Sequence, residues 1–267
     1  MKNSFFVLVA ACLACAGCFD NRNRPADVFT VTSLGEFEGI TNSAKRAEIV
    51  RLFLRGAPRP VTDADFEGLS DSVLKQLDLS ELGLEKVPGK VWGLKGLTSF
   101  WFVRNKLTAI PDEVAELPAL TYLNLDGNEI TALPDSLKDA TKLRWLRLSG
   151  NRIAEVPGSL AALKDMRRLY MRENKLTAVP DVVKEWPELE DLVLDGNDIA
   201  SVPDWVGTDL PQLKSLSLKG CKKITRLPDD LSGLRNLSVL NVADCSFPSD
   251  EVERIRTALG DNVVILF

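Results

Sequence analysis

From residue 74 onward the apolar positions follow one short pattern again and again. In "LRWLRLSGNRIAEVP" (143–157) leucines stand at 143, 146 and 148, and Trp145 and Arg147 between them face the other way. Leu146 and Leu148 alternate with polar neighbours, which predicts a short strand with one apolar face. A polar stretch follows, then Ile153, Val156 and Pro157. The same arrangement recurs from Leu74, Leu97, Leu120, Leu143, Met166 and Leu189, stepping by 23, and then from Leu213 and Leu237, stepping by 24. Repetition in fixed register predicts a stack of similar coils. One such strand cannot bury its apolar face alone, but stacked coils join their strands into a parallel sheet over a continuous core.

Two further series carry structural meaning. Asn105, Asn128, Asn151, Asn174 and Asn197 fall nine residues into their coils, where the chain leaves the strand. An inward side chain there must satisfy loop backbone groups hidden from water, and Asn offers both donor and acceptor. Pro88, Pro111, Pro134, Pro157, Pro180, Pro203 and Pro228 end each turn and open the outer arc. Proline lacks an N–H and disfavours helix before it, which suits an irregular outer side.

The shared motif, LxxLxLxxNxLxxLP in eight copies, resembles the leucine-rich repeat, in particular the 23-residue class of Ras-pathway scaffolds, plant Ras-group proteins and many bacterial surface proteins. The resemblance covers about 70–267. It implies an α/β solenoid: a curved horseshoe with a parallel β-sheet on the concave face and a convex arc of short helical, 3-10 or irregular segments. It is specific for fold and weak for function. Three positions depart from it. Leu82 takes the Asn place in the first coil, and Cys221 and Cys245 take it in two late ones. Those cysteines should lie in adjacent coils, their Cα atoms roughly 5 Å apart. That is within reach of a disulfide, while side chains parallel in a ladder favour two free structural thiols.

An open solenoid needs caps. Over 43–55, "SAKRAEIVRLFLR", Ala47, Val50 and Leu54 are spaced three and four apart, and Gly56 follows. The spacing predicts an amphipathic helix with a glycine stop. "TDAD" (62–65) predicts a capping box opening a second short helix. Residues 36–73 therefore read as a helical N-terminal cap and 74–247 as about eight repeats. In 248–267, Ser249 can cap the helix "DEVERIRTAL", Gly260 stops it, and "NVVILF" supplies a last strand. That ending leaves no room for an appended catalytic domain.

The first residues read differently. "MKNSFFVLVAACLACAGC" carries Lys2 and then an apolar run from Phe5 to Gly17. At about 13 residues it suits a signal-peptide core and is too short to span a membrane. Small residues directly before Cys18 resemble the lipobox of bacterial lipoproteins, which implies cleavage after residue 17 and a diacylglycerol on the thiol. "VAAC" makes Cys12 the competing position. Cys18 is favoured because polar sequence follows at once, making 18–35 a flexible tether. The resemblance implies a lipid-anchored protein of the bacterial cell envelope. With Phe19 rather than Asp after the cysteine, the sorting rule of enterobacterial lipoproteins points to the outer membrane.

Composition narrows the chemistry. The formal net charge is −5, and −6 without residues 1–17, which argues against nucleic-acid binding. Histidine is absent, which removes histidine-based nucleophile arrangements, general bases and metal ligands. No cofactor or metal is expected.

Leucines and asparagines are accounted for by packing, so function should sit on the variable positions of the sheet. In four consecutive coils these hold Trp101, Tyr122, Trp145 and Tyr170, which include both tyrosines of the chain. The other three tryptophans, Trp92, Trp186 and Trp205, fall on the outer arc, where wedging into the core edge accounts for them. Around the four sheet aromatics stand Arg104, Lys106, Arg147, Arg152, Arg168, Arg172 and Lys175, against Asp126, Glu129 and Glu173, an excess of four positive charges. Aromatic and arginine clusters are what protein-binding hot spots use. The expected partner-binding residues are Trp101, Arg104, Tyr122, Trp145, Arg147, Arg168, Tyr170 and Arg172, and the expected partner is a protein, an acidic one by that charge excess, bound by a monomer. Two other readings compete: the same aromatics stack on the sugar rings of a wall or surface glycan, or they stabilise the sheet and nothing more.

Overall fold

A computed structural model describes residues 29–267. The expected signal segment 1–17, Cys12, Cys18 and the first part of the tether lie outside the described residues.

Eleven short strands form one parallel sheet whose order is the order of the sequence. They are β1 (Thr30–Val31), β2 (Arg51–Phe53), β3 (Gln76–Asp78), β4 (Ser99–Trp101), β5 (Tyr122–Asn124), β6 (Trp145–Arg147), β7 (Arg168–Tyr170), β8 (Asp191–Val193), β9 (Ser215–Ser217), β10 (Val239–Asn241) and β11 (Val264–Leu266). The middle residue of each strand points inward. From β2 to β10 these are Leu52, Leu77, Phe100, Leu123, Leu146, Leu169, Leu192, Leu216 and Leu240, aligned in register and buried. The two residues flanking each middle one face outward, so the sheet has one core face and one open face. This is the solenoid that the repeat pattern implies.

The outer arc follows the prolines. Short 3-10 turns at Gly89–Gly93, Asp112–Glu116, Asp135–Asp139, Gly158–Ala162 and Asp181–Glu185 each begin directly after Pro88, Pro111, Pro134, Pro157 and Pro180. Trp92 and Trp186 wedge into the core from this side, and Trp186 donates its indole N–H to the Leu160 carbonyl at 2.9 Å. Trp205, in a short helix at Trp205–Thr208, packs partly buried against the same core.

The asparagine series closes the loops between coils. Asn151 Oδ1 accepts from the Ile130 N–H of the preceding coil (3.0 Å), and Nδ2 donates to the carbonyls of Leu125 (3.0 Å) and Leu148 (2.9 Å). Asn105, Asn128, Asn174 and Asn197 make equivalent bonds, all from buried positions. The loop at Leu82 is held from the next coil, because Asn105 Oδ1 takes the N–H groups of both Leu82 and Leu84 at 3.1 Å. Cys221 and Cys245 are free thiols in the asparagine place, directed at the carbonyls of Leu194 (3.5 Å) and Leu218 (3.2 Å). They supply the donor half of the asparagine's role.

The N-terminal cap differs from expectation. The helix expected over 43–55 ends after one turn, α2 (Ser43–Arg46), and residues 51–53 form β2 instead. The reason lies in a second pattern within the same residues: Ile49, Leu52 and Leu54 reproduce the LxxLxL spacing and are all fully buried. They pair in register with the next coil, so this cap is a degenerate repeat. The last residues of the expected tether, 18–35, are folded. Val31 lies in β1 and is buried, and α1 (Leu34–Glu38) packs Leu34 and Phe37 into the core. "TDAD" does open a short 3-10 turn at Asp63–Phe66, where the Asp65 carboxylate accepts from the Thr62 N–H at 2.8 Å.

At the other end α4 (Ser249–Leu259), numbered after α3 (Trp205–Thr208), covers the last coil and β11 completes the sheet. Pro248 precedes the helix, so Ser249 is its first residue and not its cap. Gly260 stops it with φ 69°. Glu251, buried, accepts from the Leu227 N–H (2.9 Å) and pairs with Arg254 at 2.8 Å, and Arg254 donates to the Leu227 and Pro228 carbonyls. This clamp fixes the cap to the last loops.

Candidate functional site: the open face of the sheet

The outward strand positions of β4 to β7 hold the expected aromatics, and the register brings them together. Trp101 and Tyr122 lie with ring centroids 5.0 Å apart and Tyr122 and Trp145 at 5.6 Å, tilted and edge-on. Arg168 continues the row, its guanidinium 4.5 Å from the Trp145 ring centre, and Arg147 covers the Tyr170 ring at 4.9 Å. The geometry follows from strand spacing: outward residues on neighbouring strands stand close enough for large rings to meet. Phe53 of β2, not singled out by the sequence, extends the row to the N-terminal side at 6.3 Å from Trp101. The result is one half-buried ridge across six strands.

The arginines are less free than the sequence suggests. Arg147 pairs with Asp126 at 2.8 Å, and both side chains are mostly covered, at 22% and 16% exposed. Arg168 reaches Asp191 and Arg172 reaches Asp195, each at 3.2 Å. Arg104 pairs with Glu81 and Arg152 with Glu129, both at 3.0 Å. Glu81, Asp191 and Asp195 come from strands flanking the four coils. With them counted, seven cations face six anions, so the expected excess of four positive charges is almost cancelled. The expectation of an acidic partner drew on that charge excess, which these ion pairs largely offset.

Of the eight expected residues, seven join the row or its ion pairs around β4 to β8: Trp101, Tyr122, Trp145, Arg147, Arg168, Tyr170 and Arg172. Arg104 stands apart, in the loop after β4 with a left-handed backbone (φ 53°), a place that Gly127, Gly150, Gly196 and Gly220 fill in later coils. Burial raises both tyrosine hydroxyls above their ordinary range. Tyr170 is pushed up to about 12, by burial first and then by the negative charge of Asp191, to which its hydroxyl donates at 3.1 Å. Among the described residues no three metal-ligating side chains converge, and no helix is long and apolar enough to cross a membrane.

No curated protein matches the chain. The leucine rich repeat family model matches residues 95–153 and 187–247. Solved structures with a similar fold include a leucine-rich-repeat protein of Leptospira interrogans (25% identity, 82% of this chain and 67% of that one, TM-score 0.52). The leucine-rich-repeat domain of the type III effector XopL is 28% identical over 73% of this chain and 69% of that one, with TM-score 0.61. An internalin from Listeria monocytogenes shares the fold at 19% identity, over 89% of this chain and 71% of that one, with TM-score 0.68. The chain thus carries leucine-rich repeats and folds as the parallel-stranded solenoid that such repeats build.

Proposed function

We propose that this protein is a non-enzymatic binding protein that presents the open face of its repeats to a protein partner from a lipid anchor in the bacterial cell envelope. The observation that carries the reading is the ridge Trp101–Tyr122–Trp145–Arg168, with Arg147 over Tyr170 beside it. It offers large, rigid, partly exposed area with polar edges, the composition that concentrates binding energy at protein interfaces. Sugar stacking fits it less well, because a sugar needs a bare ring face and Arg168 already lies over Trp145.

Trp145→Ala separates binding from sheet stabilisation. The lost ring contacts contribute about 0.5–1.5 kcal/mol beyond the area that the half-buried indole covers, so the thermal midpoint should fall but the chain should stay folded. Capture of a specific envelope protein should be lost. A large fall in midpoint with binding retained refutes the reading, and retention on purified cell wall, lost in Trp145→Ala, would favour the glycan. Arg147→Ala is a poor probe, since it strands the covered Asp126 carboxylate.

The anchor is proposed at Cys18, on the small residues before it and the polar sequence after it. Palmitate labelling should disappear in Cys18→Ala and persist in Cys12→Ala. The reverse result moves the anchor to Cys12, and labelling that survives both excludes it.

A further inference from the structure

We infer that Asp78, walled by Phe53 and Trp101, is a docking notch for an arginine side chain of the protein partner. The inference rests on the proposed reading of the open face and adds the chemistry of one contact. Phe53, Asp78 and Trp101 are register partners on β2, β3 and β4. Outward residues two strands apart would stand roughly 9.6 Å from each other. The Phe53 and Trp101 ring centroids instead approach to 6.3 Å, edge to face at 79°, across the strand that carries Asp78.

The electrostatics single out this carboxylate. Four acids occupy outward positions on or just after the strands: Asp78, Asp126, Asp191 and Asp195. Three are met by an arginine of the neighbouring coil: Asp126 by Arg147, Asp191 by Arg168, Asp195 by Arg172. Asp78 has no ion pair among the described residues. Its contact is local, Oδ1 accepting from the Ser80 N–H at 2.9 Å. Arg55, whose charge acts on Asp78, turns its guanidinium fork to Glu81 instead, at 2.7 and 3.2 Å. Burial holds the Asp78 carboxyl above the usual carboxylate range, with Arg55 acting only through its charge.

The notch therefore combines a partly desolvated anion with two ring systems and lacks the arginine that Asp126, Asp191 and Asp195 each meet. A guanidinium fits this setting better than an ammonium. It is planar, more weakly hydrated, stacks on aromatic faces and donates in a fork to carboxylate. The internal pairs show the same chemistry: Arg168 lies over Trp145 and pairs with Asp191.

Two pools of random heptapeptides, identical except for a central arginine or a central glutamate, test the notch against the immobilised full chain. The arginine pool should be retained about tenfold better, the factor that corresponds to a combined stacking and charge contribution of this size. Asp78→Asn keeps the shape and the Ser80 contact, and it should bring the ratio to about one without lowering the thermal midpoint. Equal retention of the two pools, no retention of either, or an unchanged preference in Asp78→Asn overturns the inference. Trp145→Ala, remote from the notch, distinguishes the two proposals. If it lowers retention of both pools while Asp78→Asn leaves the preference intact, the binding surface stands and the notch falls. If Asp78→Asn abolishes the preference and Trp145→Ala changes nothing, the notch stands and the ridge falls.

Discussion

Each buried asparagine serves two coils at once, and this is why the position tolerates so little. Removing the Asn151 side chain strands the Ile130 N–H where water cannot reach it, while the Leu125 and Leu148 carbonyls keep the Asn128 and Asn174 amides as donors. At about 1–3 kcal/mol for a stranded buried group, Asn151→Ala should cost about 1–3 kcal/mol, lowering the midpoint by about 2–12 °C in a melting experiment. Arg104 poses the opposite case. It holds a left-handed backbone that glycine adopts freely, so Arg104→Gly should be neutral or stabilising by up to about 1 kcal/mol, despite losing an exposed pair with Glu81. The tyrosines give a spectroscopic check. Tyr170 is raised to about 12 and Tyr122 is raised as well, against about 10 in an unfolded chain. The folded protein then holds both protons longer than the unfolded one. The stability they contribute is intact below pH 10 and declines as pH rises toward 12. Absorbance titration should show no tyrosine ionising near 10 until the fold is lost.

At the scale of elements, what the sequence made legible was whatever repeats. Eight strands, the asparagine ladder and the proline-led turns follow from one period, because a solenoid writes its geometry into every coil. The N-terminal cap hid its strand for a physical reason. Residues 47–54 satisfy both a helical spacing, through Ala47, Val50 and Leu54, and the strand spacing Ile49–Leu52–Leu54. Pairing with the next coil decides between them, and that contact is not local. Leu52→Ala should accordingly behave as a core substitution, costing about 2–5 kcal/mol. The ion pairs were hidden likewise: Arg147 and Asp126 are 21 residues apart, and only the stacking brings them together. The C-terminal clamp shows a carboxylate of similar kind. Arg254 holds the Glu251 carboxyl below its usual range. Its contribution is present above the unfolded value of about 4.3 and is lost as pH falls below it. Glu251→Ala should cost about 3 kcal/mol at neutral pH, and the difference from the unaltered protein should shrink in acid.

For the whole molecule, the sheet divides labour between its faces. The inner face is a leucine core closed at both ends. The open face carries an aromatic ridge whose positive charges are met by acids of neighbouring coils. Such a surface is close to neutral, and half-buried Asp78 stands on it without an ion pair among the described residues. The central claim is that this ridge is where a protein partner docks. Site-specific photo-crosslinking in the native envelope tests it most directly, with benzoylphenylalanine placed at Trp101, at Trp145 and, as a control on the outer arc, at exposed Lys138. The account predicts that the two ridge positions yield the same discrete adduct, sensitive to protease, and that Lys138 does not. The same pattern at all three positions, adducts that resist protease but yield to a cell-wall hydrolase, or no adduct at either ridge position would contradict it.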